Sequence, residues 1–236
     1  MKFHHGWVLA AAFPLIVSSV PAHAQTPDGL IAQIKVYSAD FAQGRACGWM
    51  LPFDEIAMNG KMAESAALVR ANFGPTAGNE ADAAVKAKAE TEPCAGEANE
   101  RKRSQVTMLR LEWLARADVF YTISESAPFG KDMTSLGATH AQRRLEFTAM
   151  RNTFVMAAGE AQWQPLFDDI VNETQAMVGL VCADRATLRS ASPRQCPAVP
   201  DNAKKFIPLA VAQLKNVEAF ADSFSQVLKV TTPPSR

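Results

Sequence analysis

The chain has 236 residues, with 24 Lys plus Arg against 24 Asp plus Glu for a formal net charge of zero, and 48% of its residues are hydrophobic. These proportions exclude wholesale disorder, collagen-like repeats and low-complexity classes. A neutral chain also lacks the electrostatic footprint of a nucleic-acid-binding protein, so no nucleic-acid partner is expected.

The first 24 residues read as a secretory signal. Lys2 supplies a positive start, Gly6 to Val20 is an uncharged run of 15 residues, and Ala22-His23-Ala24 is a small-x-small exit. Crossing hydrocarbon needs about 20 apolar residues, more than this run offers, and Pro14 interrupts it. Cleavage after Ala24 is therefore expected, leaving an exported chain from Gln25, periplasmic or extracellular, with no transmembrane segment. Three of the four histidines (His4, His5, His23) fall in the signal, and the expected mature chain keeps only His140.

The rest reads as helices in chain order. Thr26-Pro27-Asp28 has the form of an N-cap, a first-position proline and an early acid, and Leu30, Ile34, Tyr37 and Phe41 follow at helical spacing. Gly48 and Pro52 interrupt. Met58, Met62, Ala66, Val69 and Phe73 form a second stripe, closed by Gly74-Pro75. Asn79-Glu80 is expected to cap a third, Ala-rich helix ending before Pro93. A long fourth helix is expected from Glu97 to Ser124, burying Val106, Leu109, Trp113, Ala117 and Phe120, with Glu97/Arg101 and Glu112/Arg116 in the favourable acid-first spacing of four.

Ala127 to Gly130 breaks that helix. A fifth is expected from Thr139 to Ala158, and a sixth from Pro165, with Phe167, Ile170, Thr174, Met177 and Val181 on one face. Asp201 is expected to cap the last helix, whose seam is Ile207, Ala210, Leu214, Val217, Ala221, Phe224 and Leu228, with Pro208 kinking it or delaying its start. No period-2 strand or fixed repeat is present. The expected fold is all-α: a single bundle of six or seven helices over residues 25–230, followed by a flexible tail at 231–236.

Four cysteines in an exported chain suggest disulfides. Short connections make helices one, two and three successively antiparallel, which returns Cys94 to the end where Cys47 sits. Cys182 and Cys196 are 14 apart around a proline-containing loop. The expected pairs are Cys47–Cys94 and Cys182–Cys196, each stabilising the fold by roughly 3–4 kcal/mol in the chain-entropy model.

Catalytic and cofactor motifs are scarce. C-x-x-C-H, H-E-x-x-H, G-x-S-x-G, S-x-x-K, the P-loop and G-x-G-x-x-G are all absent, and a single His cannot supply the two Glu-x-x-His pairs of a di-iron bundle. His140, near a helix start, reads as a surface or capping residue. The nine methionines read as core filler. No cofactor or metal is expected.

Arg101-Lys102-Arg103 and Arg143-Arg144 have acids nearby and read as solvated faces. Asn172-Glu173-Thr174 matches a glycosylation sequon inside an expected helix. Ser124-Glu125-Ser126 ends the long helix. Its Glu-Ser pair resembles that at the acid of lytic transglycosylases, which are also helical, although their downstream Gly- and Gln-containing motif is missing here. That resemblance implies a glycan-cleaving alternative centred on Glu125.

With so few catalytic groups, the leading expectation is a non-enzymatic envelope or secreted protein that binds a protein or other macromolecular partner through a helical face. A small-ligand carrier with an apolar cavity between helices is a further alternative.

Overall fold

A computed structural model describes residues 26–126, 152, 160–183 and 198–231. All regular structure among them is helical. The elements are α1 (Pro27–Ala46), α2 (Pro52–Phe73), α3 (Pro75–Lys86), α4 (Glu97–Ser126), α5 (Glu160–Ala183), the short α6 (Asp201–Lys204) and α7 (Ile207–Thr231). The expected signal, the expected fifth helix apart from Asn152 and so including Arg143-Arg144, and residues 232–236 lie outside the described residues.

Prolines start three consecutive helices, because a first-turn residue needs no amide hydrogen. At α1, Thr26 Oγ1 accepts from the Gly29 N–H at 3.2 Å, as its sequence foretold. At α2, Pro52 opens the helix rather than interrupting it, and Asp54 Oδ2 accepts the Leu51 N–H at 3.0 Å. Gly74 alone joins α2 to α3, at φ +89°, a left-handed value that disfavours residues with a Cβ. That one-residue turn moves the α3 start to Pro75, ahead of the expected Asn79-Glu80 cap, and α3 ends at Lys86, well before Pro93.

Two more boundaries differ from expectation. Pro165 lies inside α5, which already begins at Glu160. Asp201 begins α6 rather than capping the last long helix, and α7 starts at Ile207 with Pro208 in its first turn, the delayed start that Pro208 implied.

The main core joins α2, α4, α5 and α7. Phe53 packs edge-on against Phe220 and Phe224, at centroid distances of 5.8 and 5.1 Å, and Trp113 meets Phe220 at 5.7 Å. All five expected stripe residues of α4 are buried. Burial in fact continues without a break from residue 112 to 120, because α4 also packs a second face, Ala115 and Val119, against Ile170 of α5. A separate core of Leu30, Ile31, Ile34, Ala66, Val69, Ala81 and Ala84 binds α1, α2 and α3.

Cys47 and Cys94 are bonded, with Cα atoms 5.4 Å apart across a sequence separation of 47, at the end of the bundle that the helix reversals specified. Beside them, buried Gln43 donates to Glu92 O (3.0 Å) and Asn99 Oδ1 (3.1 Å) and accepts the Glu92 N–H (2.8 Å), so the connection before α4 is fastened to α1 by polar contacts as well. Among the described residues this is the one disulfide with both cysteines placed. Cys182 is fully buried in α5 and no described cysteine is free, while Cys196 lies outside the described residues.

Candidate ligand site: a buried charge cluster opening on a groove

Four helices carry polar residues at positions where their apolar seams call for hydrocarbon. On α2 the buried set Ala57, Lys61, Glu64, Leu68 steps by four, three and four residues. On α4 the set is Leu109, Glu112, Arg116, Phe120, and on α7 it is Ala210, Gln213, Val217, Ala221. On α5, Glu173 falls between Ile170 and Met177, with its side chain only 10% exposed. These spacings place each polar group on the core side of its helix.

The groups meet in one cluster. Lys61 Nζ donates to Glu112 Oε1 at 3.2 Å. The same oxygen accepts from Arg116 Nε at 3.1 Å and Nη2 at 2.7 Å. Arg116 Nη2 also lies 3.2 Å from Glu173 Oε2, an ion pair without hydrogen-bond alignment. Glu64 and Tyr37 lie close enough to feel these charges, and the Tyr37 hydroxyl accepts from Gln33 Nε2 at 3.1 Å.

Three carboxyls thus face two cations, so full ionisation would bury one net negative charge. Burying net charge is costly, and the cluster responds by retaining a proton. Burial would raise the Glu112 carboxyl, but Lys61 and Arg116 hold it down at about 2. Burial prevails at Glu173, raised to about 7 despite Arg116, and also raises Glu64. Burial alone would lower Lys61 and Arg116, yet the facing acids shift both upward, so both cations stay charged.

Glu64 belongs to two environments. It is part of the cluster and also part of the wall of a groove of about 540 Å³ between α2, α3 and α7, a volume within the roughly 300–1,000 Å³ typical of small-molecule sites. The groove walls are mostly small and apolar: Gly60, Ala63, Ala67 and Ala71 from α2, with Leu209 and Ala212 from α7. Its two ends are fixed by the antiparallel run of α2 and α7. At one end a Cβ on Gly60 would come within 3.4 Å of Asn216 Nδ2; at the other, Lys205 Nζ donates to Ala71 O at 2.8 Å.

Glu64 and Gln213, 4% and 6% exposed, both line the groove near its first end. The Gln213 amide lies beside the Glu64 carboxyl and acts against burial by lowering its pKa, although Glu64 Oε1 and Gln213 Nε2 fall outside strict hydrogen-bond geometry. At the second end stand Arg70 and Lys205, with Asp82 paired to Arg70, whereas Lys86 closes α3 eight residues beyond Gly78, which packs on Arg70, and so lies towards the Glu64 end. Among the described residues no group of three or more His, Cys, Asp or Glu is arranged to hold a metal ion.

The residues singled out from sequence do not form this site. Glu125 is in the last turn of α4, and His140 lies outside the described residues. Arg101 pairs with Glu97 at 3.4 Å as a solvated group does, whereas Lys102, paired with Glu92 at 3.4 Å, is half-buried. Glu112 and Arg116 were legible as a pair, but nothing in their own spacing showed that the pair is buried. The signal that finds the site is charge on an apolar seam. No family model, curated protein or solved structure matches the chain.

Proposed function

We propose that this is a non-enzymatic binding protein for a small organic molecule held in the groove between α2, α3 and α7. The observation that carries this reading is the groove itself: an apolar-walled space of about 540 Å³ with the buried polar side chains of Glu64 and Gln213 in its lining. The charge cluster behind Glu64 acts as a rigid electrostatic backing. Its cations are engaged by Glu112 and Glu173.

Among the described residues the exposed large apolar side chains, Val36, Leu51, Phe73 and Met108, stand on α1, before α2, at the end of α2 and on α4. Their dispersal favours a groove over a flat helical face as the binding surface. The protein acts outside the cytoplasm, exported by residues 1–24, with a second disulfide between Cys182 and Cys196. No helix among the described residues is long and apolar enough to cross a membrane.

Native mass spectrometry of gently purified protein tests the reading, before and after soaking in a mixed library of small amphipathic compounds. Bound mass is expected for the wild-type chain and not for Ala67→Trp, whose indole would occupy the groove. Equal occupancy in both would refute it.

A further inference from the structure

The connection from α3 to α4, residues 87–96, has no helix or strand, and all of it except Ala89 is exposed. Cys94 sits on this connection and is exposed, whereas its partner Cys47, the C-cap of α1, is half-buried. The two sulfurs therefore differ as targets for an incoming thiolate, whose attack needs access to the sulfur it joins. They differ as leaving groups too. The amide of fully buried Gln43 donates from Nε2 to Cys47 Sγ at 3.1 Å. The C-terminus of a helix disfavours an anion, and this donor opposes that effect at the sulfur that would depart.

The connection does not depend on the disulfide alone. Ser38 Oγ donates to Ala87 O at 3.3 Å, Gln43 exchanges two hydrogen bonds with the Glu92 backbone, and Lys102 pairs with the Glu92 side chain. Trp49 Nε1 donates to Asn99 Oδ1 at 3.1 Å, the same oxygen that accepts from Gln43, so the start of α4 is held as well. With these contacts in place, opening the S–S bond leaves the two cysteines close together, and reclosure is intramolecular.

We propose that the Cys47–Cys94 bond is a reversible exchange site for small-molecule thiols, at which the thiol becomes attached to Cys94 while the bundle stays folded. The incoming thiolate forms a bond to Cys94 Sγ, the bond to Cys47 breaks, and its electron pair leaves on Cys47 Sγ, which takes a proton from solvent. The products are a mixed disulfide on Cys94 and a free thiol on Cys47. In the reverse step the Cys47 thiolate attacks Cys94 Sγ, expels the small thiol and restores the bond. This site does not involve the groove, and its failure would leave the small-molecule reading untouched.

The intact protein is incubated without denaturant in excess 2-mercaptoethanol, quenched at intervals with N-ethylmaleimide and mapped by mass spectrometry at the Cys47 and Cys94 peptides. Expected early on is 2-mercaptoethanol on Cys94 with maleimide on Cys47, about tenfold or more over the reverse arrangement. Circular dichroism and tryptophan emission should hold steady throughout, and removing the thiol should restore the Cys47–Cys94 peptide. Gln43→Leu should lower the Cys94 to Cys47 ratio, whatever it does to the overall rate. Equal or greater labelling of Cys47 by 2-mercaptoethanol would overturn the direction of attack. Loss of helical signal in step with exchange would overturn the fastening by Gln43, Ser38 and Lys102. No exchange without denaturant would overturn the site itself, and an unchanged ratio in Gln43→Leu would overturn the role of its amide. The wild-type series decides the first three even where Gln43→Leu does not fold.

Discussion

Lys61 Nζ on α2 lies 3.2 Å from Glu112 Oε1 on α4, and the Lys61 side chain is only 1% exposed. This contact ties together two helices in a part of the core where hydrocarbon would pack without any electrostatic cost. Removing Glu112 alone, as Glu112→Leu, leaves Lys61 and Arg116 buried beside each other with less compensation. The expected cost is about 3–5 kcal/mol of unfolding free energy. The double variant Lys61→Met/Glu112→Leu removes one charge of each sign and should be more stable than Glu112→Leu. Urea unfolding of the two variants measures this, and a double variant less stable than the single would show that the pair is not coupled.

The retained proton makes stability depend on pH with an unusual sign. Glu173 has a folded pKa of about 7, raised by burial from 4.5, so between those values the folded state keeps a proton that the unfolded chain releases. Its contribution is complete below pH 4.5 and is lost as pH rises towards 7, an effect of about 3 kcal/mol. Burial at Asp40, raised to about 6 from 3.8, acts in the same direction, whereas Glu112, held at about 2, costs stability only on further acidification. Chemical denaturation should therefore show lower stability at pH 7.5 than at pH 5, with a smaller drop in Glu173→Gln. A rise in stability over that interval would contradict the burial of an excess carboxyl.

Gly60 is required by the ring of Trp113. A Cβ there would lie 2.5 Å from Cη2 and 2.9 Å from Cζ2 of the indole. Alanine favours helix over glycine by about 1 kcal/mol, but displacing a packed indole costs about 1–3 kcal/mol. Gly60→Ala should lower the melting temperature and shift the tryptophan emission. A higher melting temperature would mean that the indole relocates freely.

The Cys47–Cys94 bond closes a loop with a sequence separation of 47, for which the chain-entropy model gives about 4 kcal/mol. Cys47→Ser/Cys94→Ser should lose close to that in urea unfolding, less whatever the Gln43 contacts preserve. Peptide mapping without reduction should recover Cys47–Cys94 and, as proposed, Cys182–Cys196. A Cys94–Cys182 peptide would contradict the helix order.

Much of the helical framework was legible because apolar spacing, first-turn prolines and the Gly74-Pro75 stop are local signals. The stripe from Val106 to Phe120, the Thr26 cap and the Cys47–Cys94 pairing all follow from such signals and are found. Boundaries shifted where a proline was read as a break although it opens a helix (Pro52, Pro75), or as a helix start although it sits within one (Pro165).

The site was harder to read, since a charged residue on one helix looks the same whether its face meets water or another helix. Lys61, Glu64, Glu112, Arg116 and Glu173 become conspicuous only when each is placed on its own apolar seam. That comparison was available in the sequence, but sorting residues into apolar stripes and solvated charges concealed it. Gln213 gives no signal of charge at all, and the groove depends on how α3 and α7 pack on α2.

The groove as a ligand site is tested most directly by ligand-observed NMR fragment screening of the wild-type protein and Ala67→Trp in parallel. The account predicts a set of amphipathic fragments that bind the wild-type chain and lose their signals with the variant, while both proteins keep the same circular dichroism. Fragments that bind both proteins equally, or none that binds the wild-type chain, would contradict it.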